Sequence, residues 1–353
     1  MKIKDKDATL LDENKSQLSH QLYQETVKRV YRPTVLEFFE RFKEDGLLSD
    51  EVDILLALSN DSQTALLEML TVHVHKEKPV IMKMIGDSLD LDSDQVSAVA
   101  VSVDLLWAIS LMYDDMFDED MVRCGVQTTW VRYGKQRTVE ICQEIFAAVL
   151  KNLEMKVGKE VAQLAQQYVQ KGLDSLEEHK LIGLGADKEQ LYDNYNSRND
   201  FNGTFGVRAL FLLAGKSQSA DEELGILFIR NLNLASQLLN DLKDIDDFYN
   251  RGYSDIRNGA VTVPLNDLYQ ALSADEREKF NEIFGSKREL EAHEIEFILD
   301  ILTRHDVLLS TVRQIYDYYL AAEEIAVEIF SEENFKQVQK WITYKKEPVL
   351  RYV

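Results

Sequence analysis

Apolar positions recur at helical spacing along most of this 353-residue chain. Val103, Trp107, Ser110, Leu111, Asp114 and Asp118 fall three or four residues apart, so on an α-helix they share one face. Leu234, Gln237, Asp241 and Asp244 repeat the pattern further on. The most apolar stretch, Val96 to Met112, is interrupted by Asp104 and ends in acids, which marks a buried helix rather than a membrane span. No proline lies between Pro79 and Pro264, and since proline breaks helix interiors, this long stretch is open to uninterrupted helices. No run of alternating residues reads as a sheet, and no repeat of fixed period is visible.

The breaks in the pattern are short. GKSQSADEE (215–223), NRGYSDIRNGAVTVP (250–264) and SADERE (273–278) read as joints between neighbouring helices. With no long linker, the expectation is a polar tail over residues 1–15 and one all-α domain over 16–353, an antiparallel helical bundle.

Composition narrows the function classes. With 62 Asp and Glu against 40 Lys and Arg, the formal net charge is -22, which argues against a nucleic-acid partner. Cys124 and Cys142 are too few for a disulfide framework and fit a reducing compartment. The first residues, MKIKDKDATLLDENK, contain no apolar run of the signal-peptide kind, giving the expectation of a cytoplasmic protein.

Part of the acidity is concentrated. In MYDDMFDEDMVRCG (112–125), Asp114, Asp115 and Asp118 have the spacing DDxxD. Asp114 and Asp118 stand one turn apart on the same face, where like charges repel unless a cation offsets them. Carboxylates are hard ligands suited to Mg²⁺, which keeps several waters and is usually completed by substrate phosphate. In QLLNDLKDIDDF (237–248), Gln237, Asn240, Asp241 and Asp244 again share a face. Alone, the first cluster reads equally as an exposed acidic helix end, and the second reads better as a solvated acidic face. The pair, each following an apolar run, could face across a bundle and grip a diphosphate through magnesium. An EF-hand frame, HExxH, a cysteine-based zinc site, Walker A and GxGxxG are all missing.

DDMFDEDMVRCG resembles the first aspartate-rich motif of the isoprenyl diphosphate (polyprenyl) synthases, DDxxD followed by Arg-Arg-Gly. QLLNDLKD resembles their second motif, and SDIRNGAVTVPL the loop that follows it. The resemblance spans roughly residues 20 to 345. It implies helices around a deep central cavity and a homodimer. It also implies three Mg²⁺ ions held by Asp114, Asp115, Asp118, Asn240, Asp241 and Asp244, with an allylic isoprenyl diphosphate as substrate. Arg123 matches the first arginine of Arg-Arg-Gly, facing the allylic diphosphate. Gln237, Lys243, Arg257, Lys76 and Lys78 complete the diphosphate-binding set that the resemblance implies. Trp107, Ile109, Ser110, Leu111, Thr204 and Phe205 would line the cavity. Small and aliphatic residues at Ser110 and Ile109 suggest room for a C15 to C20 chain.

The departures from the family pattern fall on the second substrate's site. The basic segment that binds isopentenyl diphosphate ends here as HVHKEKP, with His75, Lys76 and Lys78 in place of a lysine and two arginines. The family's histidine seven residues before the first aspartate is Trp107, whose electron-rich face can stabilise a cation. The second arginine is Cys124, and the family's Lys-Thr falls within FNGTFG. The second motif opens with Asn240, as in terpene cyclases, but Asp244 and Phe248 occupy the positions of the cyclase serine and glutamate. These changes tilt the expectation towards terpene-synthase-like chemistry on one allylic diphosphate. Condensation with isopentenyl diphosphate or another acceptor stands as the close alternative, and a non-catalytic partner subunit as the alternative from a different class.

Overall fold

A computed structural model describes residues 47–72, 76–123, 125–201, 203–247 and 252–352. The expected polar tail, His75, Cys124, Asn202 and Phe248 lie outside the described residues. In chain order the helices are α1 (Leu47–Leu56), α2 (Asn60–Val72), α3 (Glu77–Ser88), α4 (Ser93–Phe117), α5 (Thr129–Tyr133), α6 (Lys135–Lys156), α7 (Lys159–His179) and α8 (Lys188–Asp200). They continue as α9 (Gly203–Leu213), α10 (Ala220–Ile245), α11 (Ser254–Asn258), α12 (Val263–Ala271), α13 (Ala274–Ile283), α14 (Ala292–Arg304), α15 (Val307–Ile329) and α16 (Glu332–Lys346). Strands β1 (Val122–Arg123) and β2 (Val126–Gln127) form a short antiparallel hairpin, turned at Gly125 with φ 80°. The all-α expectation holds apart from this hairpin. The expected single domain over 16–353 divides by contacts into two compact units, each drawn from three separate stretches of chain.

The first unit comprises the described parts of Met1–Gln170 together with Phe201–Ile226 and Ala326–Trp341. Its axis is α4, packed against α1, α2, α3, α5, α6 and α9. Asp92 caps the start of α4 by accepting from the N–H groups of Asp94 and Gln95. From Val96 to Leu106 every residue is buried, so α4 is apolar on all sides because neighbours surround it. By length and composition it could cross a membrane, yet 78% of its apolar window is buried within the protein. Glycine makes this packing close: a Cβ on Gly206 of α9 would stand 2.6 Å from both Met82 and Val103.

The second unit comprises Lys171–Asp200, Leu227–Ile325 and Ile342–Val353, described to residue 352. Its core gathers Ile245, Ile256, Leu265, Leu268, Phe280, Ile298, Ile301 and Val307. Pro264 sits in the first turn of α12, where a missing N–H costs nothing. Gly259 ends α11 at φ 75° with its Cβ position only 3.1 Å from the Gly285 Cα, so only glycine fits there. This places the segment 252–263 over the C-terminal end of α10, where the second acidic cluster lies.

Candidate metal and diphosphate centres

The first cluster sits at the C-terminal end of α4. Asp114 is half-buried, Asp115 fully buried and Asp118 exposed. Asp118 is the C-cap of α4, its N–H bonded to the Asp114 carbonyl, so the expected one-turn separation of the two acids is present. The β1–β2 hairpin then brings Arg123 back onto the acids. Its Nε donates to Asp115 Oδ1 at 2.6 Å and its Nη2 to Asp114 Oδ2 at 3.2 Å. The hairpin is held to the end of α4 through the Asp120 carbonyl, which accepts from the Thr128 hydroxyl and the Trp130 indole N–H, both at 2.7 Å. Asp115 Oδ2 is buried and meets no hydrogen-bond donor. Burial pushes the Asp115 carboxyl up to about 7, against the pull of Arg123. Burial alone would lower the Arg123 guanidinium, but Asp115 and Asp114 outweigh it and hold it above its ordinary value.

The second cluster is held differently. Asp241 on α10 is buried, and Tyr195 of α8 donates its hydroxyl to Oδ2 at 2.7 Å while Gln237 donates to Oδ1 at 2.9 Å. Burial pushes Asp241 up to about 7, the Tyr195 and Gln237 hydrogen bonds opposing it. Asp244 accepts from the Ser254 hydroxyl at 2.5 Å and from the Asp255 N–H at 2.9 Å. Asn240 is exposed and Lys243 half-buried. Every oxygen of the Asp241 and Asp244 carboxylates therefore has one protein donor, and each retains a second lone pair.

Several expected site residues are used otherwise. Lys76 is wholly buried at the N-terminal edge of α3, in a left-handed conformation with φ 51°. Its ammonium meets Asp104 Oδ2 at 2.5 Å and also Glu51, so it pairs with two interior acids rather than presenting charge to a phosphate. Burial pushes the Glu51 carboxyl up to about 8. Lys78 is also buried, and its ammonium lies 4.3 Å from the centre of the Trp107 ring. The cation that Trp107 faces is thus Lys78. Ile109, Thr204 and Phe205 are closed to solvent, while Ser110 and Leu111 are half-buried, with the Ser110 hydroxyl donating to the Trp107 carbonyl. Arg257 lies on α11, half-buried, in the segment that Asp244 anchors.

Among the described residues, no three His, Cys, Asp or Glu side chains converge into a ready metal cage. The donor chemistry nevertheless suits Mg²⁺. It is hard oxygen throughout, and the Asp115 oxygen without a donor is the kind of group a cation would satisfy. A site open to water and phosphate, rather than a closed cage, is what this ion ordinarily occupies.

Residues 64–302 match the family described as polyprenyl synthetase. The chain belongs to that family. A short chain isoprenyl diphosphate synthase from Methanothermobacter thermautotrophicus is 24% identical over 231 residues, covering 62% of this chain and 70% of that protein. A geranylgeranyl diphosphate synthase from Sulfolobus acidocaldarius is 23% identical over 229 residues, covering 60% and 67%. The crystal structure of geranylgeranyl pyrophosphate synthetase from Pyrococcus horikoshii superposes with a TM-score of 0.73 at 15% identity, covering 88% of this chain and 98% of that one. The last likeness speaks for a shared fold.

Within this polyprenyl synthetase chain, sequence reasoning missed the residues that hold the ligand candidates in place. Tyr195, Ser254, Thr128 and Trp130 belong to no charged cluster. Tyr195 lies in the polar run YDNYNSRND, where nothing in the local pattern marks it as buried.

Proposed function

We propose that this protein is a magnesium-dependent prenyltransferase that joins an allylic isoprenyl diphosphate to isopentenyl diphosphate. The observation that carries the reading is the buried Asp115 carboxylate, paired with Arg123 through one oxygen and without a donor on the other, at the end of α4 in a chain of this family. The relatives named above are isoprenyl diphosphate synthases, and they support condensation over the cyclisation expected from Trp107 and Cys124.

Asp114, Asp115 and Asp118 would hold Mg²⁺ in one unit, and Asp241 and Asp244 with Asn240 in the other. When bound, the ions act as Lewis acids that draw charge from a departing diphosphate. The residues of the chain supply the rest. Arg123 offers a planar fork of N–H donors suited to phosphate oxygens, fixed by its hairpin. The apolar packing around Ile109, Thr204 and Phe205 is closed to solvent, and a substrate tail admitted beside it would be kept from water, which would protect a reactive allylic cation from hydrolysis. Tyr195, Gln237 and Ser254 orient Asp241 and Asp244 before any ligand arrives.

The test is incubation with Mg²⁺ and geranyl, farnesyl or geranylgeranyl diphosphate, with and without isopentenyl diphosphate. Lengthened diphosphates that form only when isopentenyl diphosphate is present are the expected result. Hydrocarbons or alcohols formed equally well without it would replace this reading with cyclisation. No turnover in any combination would leave the partner-subunit reading in its place.

A further inference from the structure

Tyr195 is one of the largest fully buried side chains, and its hydroxyl makes two hydrogen bonds of fixed direction. It accepts from the Val263 N–H at 3.0 Å, so its own proton is free for one acceptor, and that acceptor is Asp241 Oδ2 at 2.7 Å. Val263 is the first residue of α12, where a helix N–H has no partner within its own helix. Thr262, the N-cap, makes no capping bond with its side chain, and its hydroxyl is buried without a partner. The Tyr195 hydroxyl from α8 thus does for α12 what the cap residue does not.

The other acid of the cluster holds the opposite end of the same segment. Asp244 binds Ser254 and the Asp255 N–H, while Asp241 binds Val263 through Tyr195. The stretch between them carries Arg257. The two carboxylates that would meet a cation are therefore tied, one directly and one through Tyr195, to both ends of a segment bearing a guanidinium.

We propose that Tyr195 is a positioning residue that fixes the Asp241 carboxylate for a divalent cation and couples it to the 254–263 segment. This rests on the proposed function only for the claim that Asp241 meets Mg²⁺. Donors that orient a ligating carboxylate ordinarily matter to metal affinity by about 10-fold or more.

The experiment uses the full chain and its Tyr195→Phe variant, which keeps the ring and its packing and removes only the hydroxyl. In the metal-free protein, hydrogen–deuterium exchange of the peptide containing Val263 should speed up by about 10-fold, because that buried N–H loses its acceptor. In thermal-shift titrations with inorganic pyrophosphate present, the half-saturating Mg²⁺ concentration should rise by about 10-fold. Exchange and Mg²⁺ half-saturation both unchanged would overturn the proposal. So would a lower melting temperature with unchanged Mg²⁺ half-saturation, or loss of the fold, since either makes Tyr195 structural only. A wild-type chain that shows no Mg²⁺-dependent shift with pyrophosphate would instead overturn the metal reading of Asp241 and this proposal with it. A wild-type shift with an unaffected variant would overturn the positioning role alone.

Discussion

The two acidic clusters hold their carboxylates by opposite means. At the end of α4, Asp114 and Asp115 share one guanidinium, a full charge, and one oxygen of Asp115 is left without a donor. At the end of α10, Asp241 and Asp244 are held by neutral donors: a phenol, an amide, a hydroxyl and a backbone N–H. A charged partner neutralises an acid and so competes with any incoming cation. A neutral donor fixes the direction of the acid and leaves its charge in place. The first cluster therefore carries a rival to Mg²⁺ hydrogen-bonded to its acids, whereas the second is oriented by neutral donors and feels the charge of Arg198 through space.

The largest effect expected is from removing an acid outright. Asp115→Ala and Asp241→Ala should each lower turnover of allylic diphosphate by about a thousandfold, as loss of a group aimed at developing charge does. Their stabilities should differ. Asp115→Ala removes an oxygen that had no donor but also takes the nearer anion from Arg123, which keeps Asp114, so denaturation of the metal-free protein should show a cost of about 1 kcal/mol or less. Asp241→Ala strands the buried hydroxyl of Tyr195 and the amide of Gln237, and should cost about 2 kcal/mol. Equal stability of the two variants would erase the contrast between the clusters.

How much of this was visible beforehand follows from distance along the chain. Helices, the apolar axis of α4 and the one-turn pairing of Asp114 with Asp118 are local patterns, and the sequence carries them directly. The family motifs added the likeness to polyprenyl synthases. The inward turn of Lys76 was not legible, because its partners Glu51 and Asp104 lie 25 and 28 residues away. Its φ of 51° is also a conformation that no composition rule assigns to lysine. Two lysines counted as phosphate ligands were thus spent inside the protein, one on interior acids and one on Trp107. Tyr195 was invisible for the same reason, standing 46 residues from Asp241 in the chain. The hairpin that returns Arg123 to the acids was hidden by its brevity, two residues to a strand.

A smaller and more discriminating effect is expected from the rival cation itself. In Arg123→Gln, Mg²⁺ should bind the diphosphate-free protein more tightly, by about 3- to 10-fold, because the acids lose the guanidinium that competes for them. Turnover should nevertheless fall by about 100-fold if, as proposed, the same fork donates to the diphosphate. Metal titration by calorimetry and steady-state kinetics would report the two signs separately. Gln237→Ala, which removes a neutral donor from Asp241, should weaken Mg²⁺ binding instead. If both variants moved Mg²⁺ affinity in the same direction, charge competition would not distinguish the clusters.

The smallest effect is on the pH dependence of stability, and it isolates burial from pairing. Asp241 has its carboxyl raised from 3.8 to about 7 by burial. The native state then holds this proton more tightly than the unfolded chain does. The stability the group contributes is complete below about pH 4 and is lost as pH rises through about 7. Asparagine has no proton to lose, so Asp241→Asn should gain stability relative to the wild type between pH 5 and pH 8. With each pKa unit amounting to about 1.4 kcal/mol, less one weakened hydrogen bond, a gain of about 2 kcal/mol is expected in urea denaturation of the metal-free protein. Asp115 is raised to about 7 as well, but its substitution also takes the nearest anion from Arg123, whose buried charge then has only Asp114. The gain for Asp115→Asn should therefore be smaller, and saturating Mg²⁺ should reverse the sign at both sites by stabilising only the wild-type carboxylates. A larger gain at Asp115 than at Asp241 would mean that the guanidinium contributes no stability to the first cluster, and that desolvation alone governs both.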